Sequence, residues 1–264
     1  MSRHLRLIRL FIAASAQQEI AYRANFLISA IHSLLNFGSG VLGMAVLFNQ
    51  VDTVRGWDHS ATLAVLGVYL LVSALRDLFI SPSLDSLVGM DGDIWRGEFD
   101  FTLVRPVNTQ FLASFRRWRL FALVDVLLAL IVLGVAAARL ADSISGAQVI
   151  TCLLALGAGM TVLYAILLAF ASLVFWNPGF LFTWVFSGLF QMARYPVGMY
   201  PGWLRLALTW IMPVGIITTV PAQALTGDLS GSLLVGALIF AVASVAGASA
   251  LFGAGLRRYA SASS

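Results

Sequence analysis

The sequence predicts an all-α membrane protein in which about six helices cross the bilayer, with both termini on the cytoplasmic side. Hydrophobic residues make up 60% of the chain and charged residues 11%, against roughly 45–50% and about 25% in soluble domains. Several apolar stretches reach the roughly 20 residues that a membrane-spanning helix needs. Because 264 residues hold these spans and short loops with little to spare, we expect residues 1–264 to form one membrane domain.

The N-terminal segment, residues 1–23, is predicted to be an amphipathic helix lying in the cytoplasmic interface of the membrane. Leu5, Ile8 and Ile12 fall on one stripe of a helix and the arginines fall on another, which is typical of interfacial helices. The apolar run at residues 10–16 is short for a signal peptide. A plain basic flank is the alternative interpretation.

The remaining apolar stretches predict the spans and the loops between them. The spans are expected at about residues 25–48, 61–80, 120–138, 147–175, 180–192 and 232–252. A short polar loop at 49–60 separates the first two spans, and WNPG at 176–179 predicts a tight turn before the fifth. The longest polar stretch, 81–119, carries five arginines and five acidic residues, so it is too charged to insert.

Residues 194–226 are apolar but are interrupted by prolines at four positions, Pro196, Pro201, Pro213 and Pro221. Because proline breaks helices, no piece of this segment is long enough to cross about 30 Å of hydrocarbon. Irregular backbone at membrane depth must be satisfied by protein or by water. We therefore expect short re-entrant or interfacial helices that pack on the bundle or line a cavity.

The distribution of arginine predicts the orientation of the chain. All sixteen basic residues are arginines; eleven fall on the side of the two termini and the 81–119 loop, four fall on the other side, and Arg76 falls within the second span. Loops rich in positive charge stay in the cytoplasm, so both termini and residues 81–119 are predicted to be cytoplasmic. That arrangement requires an even number of spans, as the apolar stretches independently predict.

Several classes of function are excluded by what the chain lacks. It has no lysine and no GxxxxGK[ST] motif, so it cannot build a P-loop for ATP. Glycines at 38, 40 and 43 spell GxGxxG inside a span, where close helix packing explains them better than a dinucleotide. Scattered histidines and a lone Cys152 give no metal site. Arginines beside spans need no nucleic acid partner, and we expect no enzymatic activity and no directly bound cofactor.

Three charged residues fall inside or near the predicted spans. Arg76 and Asp77 lie near the inner end of the second span, and Asp125 lies one to two turns inside the third. Intramembrane charges mark function by default, and a proton relay is one interpretation. A structural pair between Arg76 and Asp125 is the one we favour, because all three residues lie close to the cytoplasmic boundary, where long side chains reach water.

The 81–119 loop contains the sequence GDIWRGEFDFTLVRPVNTQF at residues 92–111. Its large apolar residues are expected to lie against the bundle, among them Trp95, Phe99, Phe101 and Leu103. Its charged residues are expected to face the cytoplasm and dock a partner of complementary charge; they are Asp93, Arg96, Glu98, Asp100 and Arg105. A solvated loop without a partner is the alternative, and so much apolar surface argues against it.

At this loop the chain resembles bacterial type-two ABC permeases (the ABC-2 superfamily), in a branch long catalogued as uncharacterised. RGEFDFTLVRPVN at 96–108 is similar to the signature G-x-L-D-x-x-L-L-R-P. Residues 194–225 resemble the branch's Y-P-x-x-x-Y-P-x-x-L stretch and the following I-P-x-x-x-x-x-x-P-A, through Tyr195, Pro196, Tyr200, Pro201, Pro213 and Pro221. GLRRYASASS at the C-terminus resembles G-x-x-R-Y-x-S-A. The branch usually carries aromatic residues before the P-A pair, where this chain has Thr218, Thr219 and Val220.

The resemblance implies the permease subunit of an ATP-driven exporter in the bacterial inner membrane, with a hydrophobic or amphipathic cargo such as a drug, a lipid or a lipid-linked glycan. It implies a cytoplasmic ABC ATPase in two copies, which supplies ATP and Mg, and a coupling helix within 81–119 that docks it. The implied coupling residues are Asp93, Arg96, Glu98, Asp100, Arg105 and Pro106. A second permease subunit, a different chain or another copy of this one, completes the pore. An ion-coupled secondary transporter or channel is the alternative, and a membrane enzyme or scaffold is a third class.

Overall fold

The computed structural model describes residues 3–21, 23–89, 91–140, 144–177 and 183–259 of the chain. About 80% of the residues are helical and almost none are in strands, which confirms the all-α prediction. The strands within them form a small antiparallel hairpin, β1 (Thr53–Val54) with β2 (Trp57–Asp58), in the predicted 49–60 loop. Its turn holds Arg55 and Gly56 at φ of 50° and 85°, the left-handed conformations that a tight hairpin turn requires.

Five helical stretches among the described residues are long and apolar enough to cross a membrane: Phe26–Phe48, His59–Leu87, Leu120–Arg139, Gly146–Leu173 and Gly231–Arg258. They correspond to five of the predicted spans. The predicted fifth span, 180–192, begins in residues that the structure does not describe. The last residues of the predicted WNPG turn also lie outside the described residues. A sixth crossing therefore stays a prediction.

The long helices are built from elements that we number along the chain. The N-terminal half contains α1 (Arg3–Ala21), α2 (Arg23–Phe48), α3 (His59–Leu75), α4 (Ser81–Leu84), α5 (Asp100–Leu103), α6 (Thr109–Phe115) and α7 (Leu123–Arg139). The C-terminal half contains α8 (Gly146–Leu173), α9 (Thr183–Phe190), α10 (Gly202–Leu206), α11 (Val220–Thr226) and α12 (Gly231–Arg258). Ser145 and Gln148 form a capping box at the start of α8, which satisfies backbone donors that the first turn leaves open.

The second span is longer than the sequence indicated. Helix α3 starts at an N-cap, Asp58, whose carboxylate accepts from the Ala61 amide at 2.8 Å. The helix then continues through a π-helical turn, Arg76–Ile80, into α4 and a 3-10 turn that ends at Leu87. The predicted end at residue 80 is therefore wrong. Pro82 is tolerated because it lies in the first turn of α4, where a proline leaves no necessary hydrogen bond unmade.

The proline-rich segment is broken into short helices, in keeping with the spacing of its prolines. It consists of 3-10 turns at Gln191–Arg194 and Val197–Met199, helix α10, π-helical turns at Ala207–Ile211 and Gly215–Thr219, and helix α11. Helix α11 ends at Gly227, which adopts a left-handed φ of 87° as helix C-caps commonly do. The placement of this segment in the membrane stays a prediction.

The core is formed by pairs of long helices with the short helices packed between them. Helix α12 packs on α8, α3 packs on α7, and α11 packs on α8 and α3. Gly159 of α8 permits the closest approach, since a Cβ there would lie 2.8 Å from the carbonyl oxygen of Ile217. Helices at the periphery are far more exposed than the central one. In the most apolar part of Phe26–Phe48, and likewise of Gly231–Arg258, 17% of the residues are buried. The corresponding share for His59–Leu87 is 61%.

Candidate functional site

The loop between the second and third spans is a folded structure rather than a solvated coil. After Leu87 the backbone turns twice, with Gly89 and Gly97 at φ of 85° and 73°, values that glycine adopts without steric cost. The amide of Asp93 donates to the carbonyl of Ser86 at 2.8 Å, and the amide of Phe99 donates to the carbonyl of Asp93 at 3.0 Å. These bonds close the loop on itself and bring α5 over the ends of the spans.

Asp93 fixes this loop to the segment between α6 and the third span. Its side chain is 1% exposed, and its two carboxylate oxygens accept from Arg116 at 2.5 Å and from Arg117 at 2.9 Å. Arg116 also donates to the hydroxyl of Thr102 at 3.1 Å. The prediction that Asp93 faces the cytoplasm is therefore wrong: the loop folds the carboxylate inward, and a buried carboxylate needs paired cations of this kind.

Phe99 fixes the loop to the ends of the fourth and last spans. It is fully buried, and its ring lies 5.5 Å from the rings of both Phe175 and Tyr259, at separations typical of favourable aromatic pairs. Phe175 in turn contacts Phe252 at 5.4 Å. Burial, together with the neighbouring carboxylate of Asp100, raises the pKa of Tyr259 to about 12, so this phenol stays neutral within the cluster.

The outer face of the loop is both apolar and charged. Phe101 and Val104 are 68% and 79% exposed, and Trp95 and Leu103 are exposed as well. The expectation that the apolar residues lie against the bundle is thus met by Phe99 and wrong for the others. We call this face the loop surface and define it by its exposed members: Trp95, Arg96, Glu98, Phe101, Leu103, Val104, Arg105 and Pro106. Of the two remaining predicted coupling residues, Asp93 is buried and Asp100 is half-buried.

Exposed charges on the loop surface are weakly ion-paired, although Arg96 also donates to the carbonyl of Asp91 at 2.5 Å. The closest nitrogen and oxygen atoms of Arg96 and Glu98 are 3.9 Å apart, with both side chains about half exposed, and a surface pair of this kind contributes little to stability. No ion pair to Arg105 occurs among the residues that the structure describes. Both charge signs are therefore available to a partner.

The N-terminal helix is attached to the same region. The hydroxyl of Ser15 accepts from the amide of Trp118 at 3.1 Å, and Glu19 accepts from the amide of Leu120 at 2.9 Å. Partial burial raises the pKa of Glu19, while the amides of Leu120 and Phe121 oppose that shift. Sequence reasoning missed these contacts, although the i, i+4 spacing of two polar residues on one face of α1 is a signal that could have found them.

Arg76, Asp77 and Asp125 are placed differently from the expected pair. Arg76 pairs with its neighbour Asp77 at 2.8 Å and stacks over the ring of Phe190 at 5.3 Å. Asp125 instead faces the hydroxyl of Ser33, so the predicted pair between Arg76 and Asp125 is wrong. Both acids line a cavity of about 40 Å³ between α2, α3 and α7. Within the described residues, no three His, Cys, Asp or Glu side chains gather as metal ligands would.

The residues of the 194–226 segment that the sequence analysis singled out make contacts that stabilise the fold of the segment. Pro196, Pro201, Pro213 and Pro221 each lie at or next to the start of a short helical turn, where proline is compatible with the backbone. Tyr200 donates to the carbonyl of Met192 at 2.7 Å. Thr218 is buried and donates to the carbonyl of Val214 at 3.2 Å. It occupies one of the positions where the permease branch that the chain resembles usually has aromatic residues.

An apolar cavity lies beside this segment at the C-terminal end of the first span. It has a volume of about 430 Å³ and is lined by residues that include Gly43, Leu47, Tyr195, Met199 and Tyr200. This size is within the range of small-molecule sites. The segment also contacts α2 through Arg194, which donates to the side-chain oxygen of Asn36 and to the hydroxyl of Ser39.

Comparison with known proteins gives one family match. The model of a family described as "ABC-2 family transporter protein" matches residues 34–263, which includes the loop surface, all five candidate spans except the start of the first, and the 194–226 segment. No curated protein and no solved structure matched the chain.

Proposed function

The chain belongs to the ABC-2 family of transporter proteins, and on that premise we propose that it is the permease subunit of an exporter whose power comes from a separate cytoplasmic ATPase. The five apolar helices support a multi-pass membrane protein, and the family implies association with an ABC ATPase. The bacterial inner membrane as its location, and outward transport as its direction, are parts of this proposal.

The observation that carries the proposal is the loop surface. Large apolar side chains such as Phe101 and Val104 stand exposed beside exposed charges at Glu98 and Arg105. Interfaces between proteins combine an apolar centre with a charged rim in this way. We infer that the loop surface docks the ATPase. It includes three of the five predicted coupling charges, Arg96, Glu98 and Arg105, and the adjacent Pro106, whereas Asp93 is buried and Asp100 is half-buried.

The anchors beneath this surface suggest how force reaches the membrane. Asp93 connects the loop to the segment that leads into the third span through Arg116 and Arg117, and Phe99 connects it to Phe175 and Tyr259 at the ends of the fourth and last spans. Movement of the loop surface is therefore transmitted to three spans through ion pairs and packed aromatic rings. In this proposal, ATP closes the two ATPase subunits, the loop moves with them, and the permease alternates between inward-facing and outward-facing states.

ATP and Mg bind the partner rather than this chain, because a chain without lysine has no P-loop. A second permease subunit is expected to cover part of the exposed surface of α2 and α12. We favour a different chain in that role, with a second copy of this one as the alternative. The apolar cavity beside Tyr195 and Tyr200 suits a hydrophobic or amphipathic cargo, whether a drug, a lipid or a lipid-linked glycan.

The test is purification of the protein together with its ATPase after charge reversal on the loop surface. Glu98→Arg and Arg105→Glu are expected to release the ATPase, seen as loss of co-purified ATP hydrolysis and of the corresponding band. Arg257→Glu is the matched control, because Arg257 is exposed at the predicted cytoplasmic end of α12 and lies outside the loop surface. Retention that is equal in all three variants would contradict the docking assignment.

A further inference from the structure

A second cavity lies at the same end of the spans as the loop between the second and third spans. It has a volume of about 500 Å³ and opens between α1, the start of α2 and residues 117–121. Its walls include Ile28 and Ser29 near the start of the first span, Pro82 near the end of the second, and Phe121 at the start of the third. Because three spans end here, the cavity lies at the level where a bilayer changes from hydrocarbon to headgroups.

Two arginines point into this cavity from a rigid stretch of backbone. The amide of Arg119 donates to the carbonyl of Leu78 at 2.9 Å, and the amide of Arg117 donates to the hydroxyl of Ser83 at 2.8 Å. The backbone between α6 and the third span is thus fixed against the end of the second. Both side chains are exposed and line the cavity.

The two guanidinium groups differ in what they already bind. Arg117 shares the carboxylate of Asp93, whereas no ion pair to Arg119 occurs in the part of the chain that the structure describes. The one acid in the lining, Glu19, is directed at the amide of Leu120, from which it accepts at 2.9 Å. Arg119 therefore offers planar donors to a ligand, and guanidinium groups match phosphate geometry well.

We propose that this cavity binds the phosphate headgroup of an anionic membrane phospholipid. Arg119 is the principal phosphate ligand, with Gln18 and Ser29 as neutral hydrogen-bonding groups in the lining. The apolar wall formed by Ile28 and Phe121 accepts the upper part of the acyl chains. A soluble anion would make no use of that wall, and basic pockets between helices at a cytoplasmic membrane face are typical headgroup sites.

Such a lipid would strengthen the attachment of α1 to the bundle. Ser15 and Glu19 already connect α1 to the backbone at Trp118 and Leu120, on one side of the cavity. A headgroup held between α1, α2 and Arg119 would join the three elements where they now enclose open space. The site is separate from the loop surface and does not depend on the identity of the cargo or on the ATPase.

The test is native mass spectrometry of the purified full-length protein with phosphatidylglycerol or phosphatidylcholine added to the detergent. The wild type is expected to retain phosphatidylglycerol selectively, and Arg119→Gln to bind it roughly fivefold more weakly, the factor expected for one arginine at an anionic membrane surface. Arg119→Lys keeps the charge but loses the planar pair of donors, so its binding should fall between those of the wild type and Arg119→Gln. Arg257→Gln is the control for a general loss of positive charge, because Arg257 is also an exposed arginine at the predicted cytoplasmic end.

Two results would overturn the proposal: equal losses in Arg119→Gln and Arg257→Gln, or equal retention of the two lipids by the wild type. Adding millimolar inorganic phosphate tests whether the site binds a soluble anion instead of a lipid. Displacement of phosphatidylglycerol by phosphate would overturn the lipid assignment. If Arg119→Gln does not fold, Ser29→Trp fills the cavity from α2 instead. Its loss of phosphatidylglycerol binding would support the site, and full binding would contradict it.

Discussion

Arg116 and Asp93 are joined across 23 residues of chain by a short ion pair whose carboxylate is almost completely buried. The pair connects the part of the loop around Asp93 to the end of α6, a few residues before the third span begins. Because a buried carboxylate without partners is strongly unfavourable, the loop has to keep this position to satisfy Asp93. The loop surface is thereby presented on a rigid base, which a coupling element that transmits movement needs.

We predict that Asp93→Asn destabilises the protein by about 2–3 kcal/mol, because it leaves two arginines without their shared carboxylate. The estimate is below the full value for a buried pair, since Arg116 and Arg117 are 23% and 45% exposed. The apparent melting temperature in detergent measures the effect. The control is Glu98→Gln, which removes an exposed pair at 3.9 Å and should cost less than about 0.5 kcal/mol. Equal shifts in the two variants would show that Asp93 is no anchor.

A pair of glycines on α8 tests the packing of the proline-rich segment. Gly159→Ala is expected to destabilise the protein by about 1–3 kcal/mol, because the new methyl group would lie 2.8 Å from the carbonyl oxygen of Ile217 and would push the segment away. Gly157→Ala on the same helix meets no atom within 4 Å and should be neutral or slightly stabilising. Thermal unfolding of both variants in one detergent decides the matter, and a neutral Gly159→Ala would contradict the described contact.

Asp125 distinguishes an ATP-driven permease from an ion-coupled carrier. No ion pair to Asp125 occurs within the described residues, and it faces the neutral Ser33. We therefore predict that Asp125→Asn leaves ATP-dependent uptake of an amphipathic dye into inverted vesicles within about twofold of the wild type. Asp77→Asn is the comparison, because it removes the carboxylate paired with Arg76 and should lower thermal stability. Loss of uptake in Asp125→Asn while the ATPase stays bound would favour the carrier.

The orientation is open to cysteine labelling in a Cys152→Ala background. Cysteine placed at Glu98 is expected to react with a membrane-impermeant maleimide in inverted vesicles and not in intact cells, since the arginine distribution puts the loop in the cytoplasm. Cysteine placed at Asp228, which is exposed before α12, should react in intact cells. Labelling of both positions from one side would contradict an odd number of crossings between them.

Much of the fold was predictable because bilayer-spanning helices leave a strong trace in sequence. Their apolar length sets the spans to within a few residues, as Leu120–Arg139 and Gly146–Leu173 show. The end of the second span was missed because the whole 81–119 stretch, which begins just before Pro82, was taken as too charged to insert. A π-helical turn just before it, at Arg76–Ile80, carries the helix past the proline, and nothing in the local sequence indicates such a turn.

The position of the candidate site along the chain could be predicted from the sequence, but the directions of several of its side chains could not. Alternating charge and aromatic residues at 92–111 identify the loop, but a side chain's direction depends on long-range contacts. Asp93 turns inward because Arg116 and Arg117 follow more than 20 residues later and the fold brings them back. Phe99 packs beside Phe175, whereas Phe101 and Val104 turn outward. Both outcomes require knowledge of which helix ends meet.

The most direct test of the account places a photo-crosslinking amino acid at Phe101 in living cells. Phe101 is 68% exposed on the loop surface, and we predict a single major adduct that contains the P-loop peptide of an ABC ATPase by mass spectrometry. The same amino acid at Ile211, which is 79% exposed in the 194–226 segment, should give no such adduct. No ATPase adduct at Phe101, or an equal yield at both positions, would contradict a docking role for the loop surface.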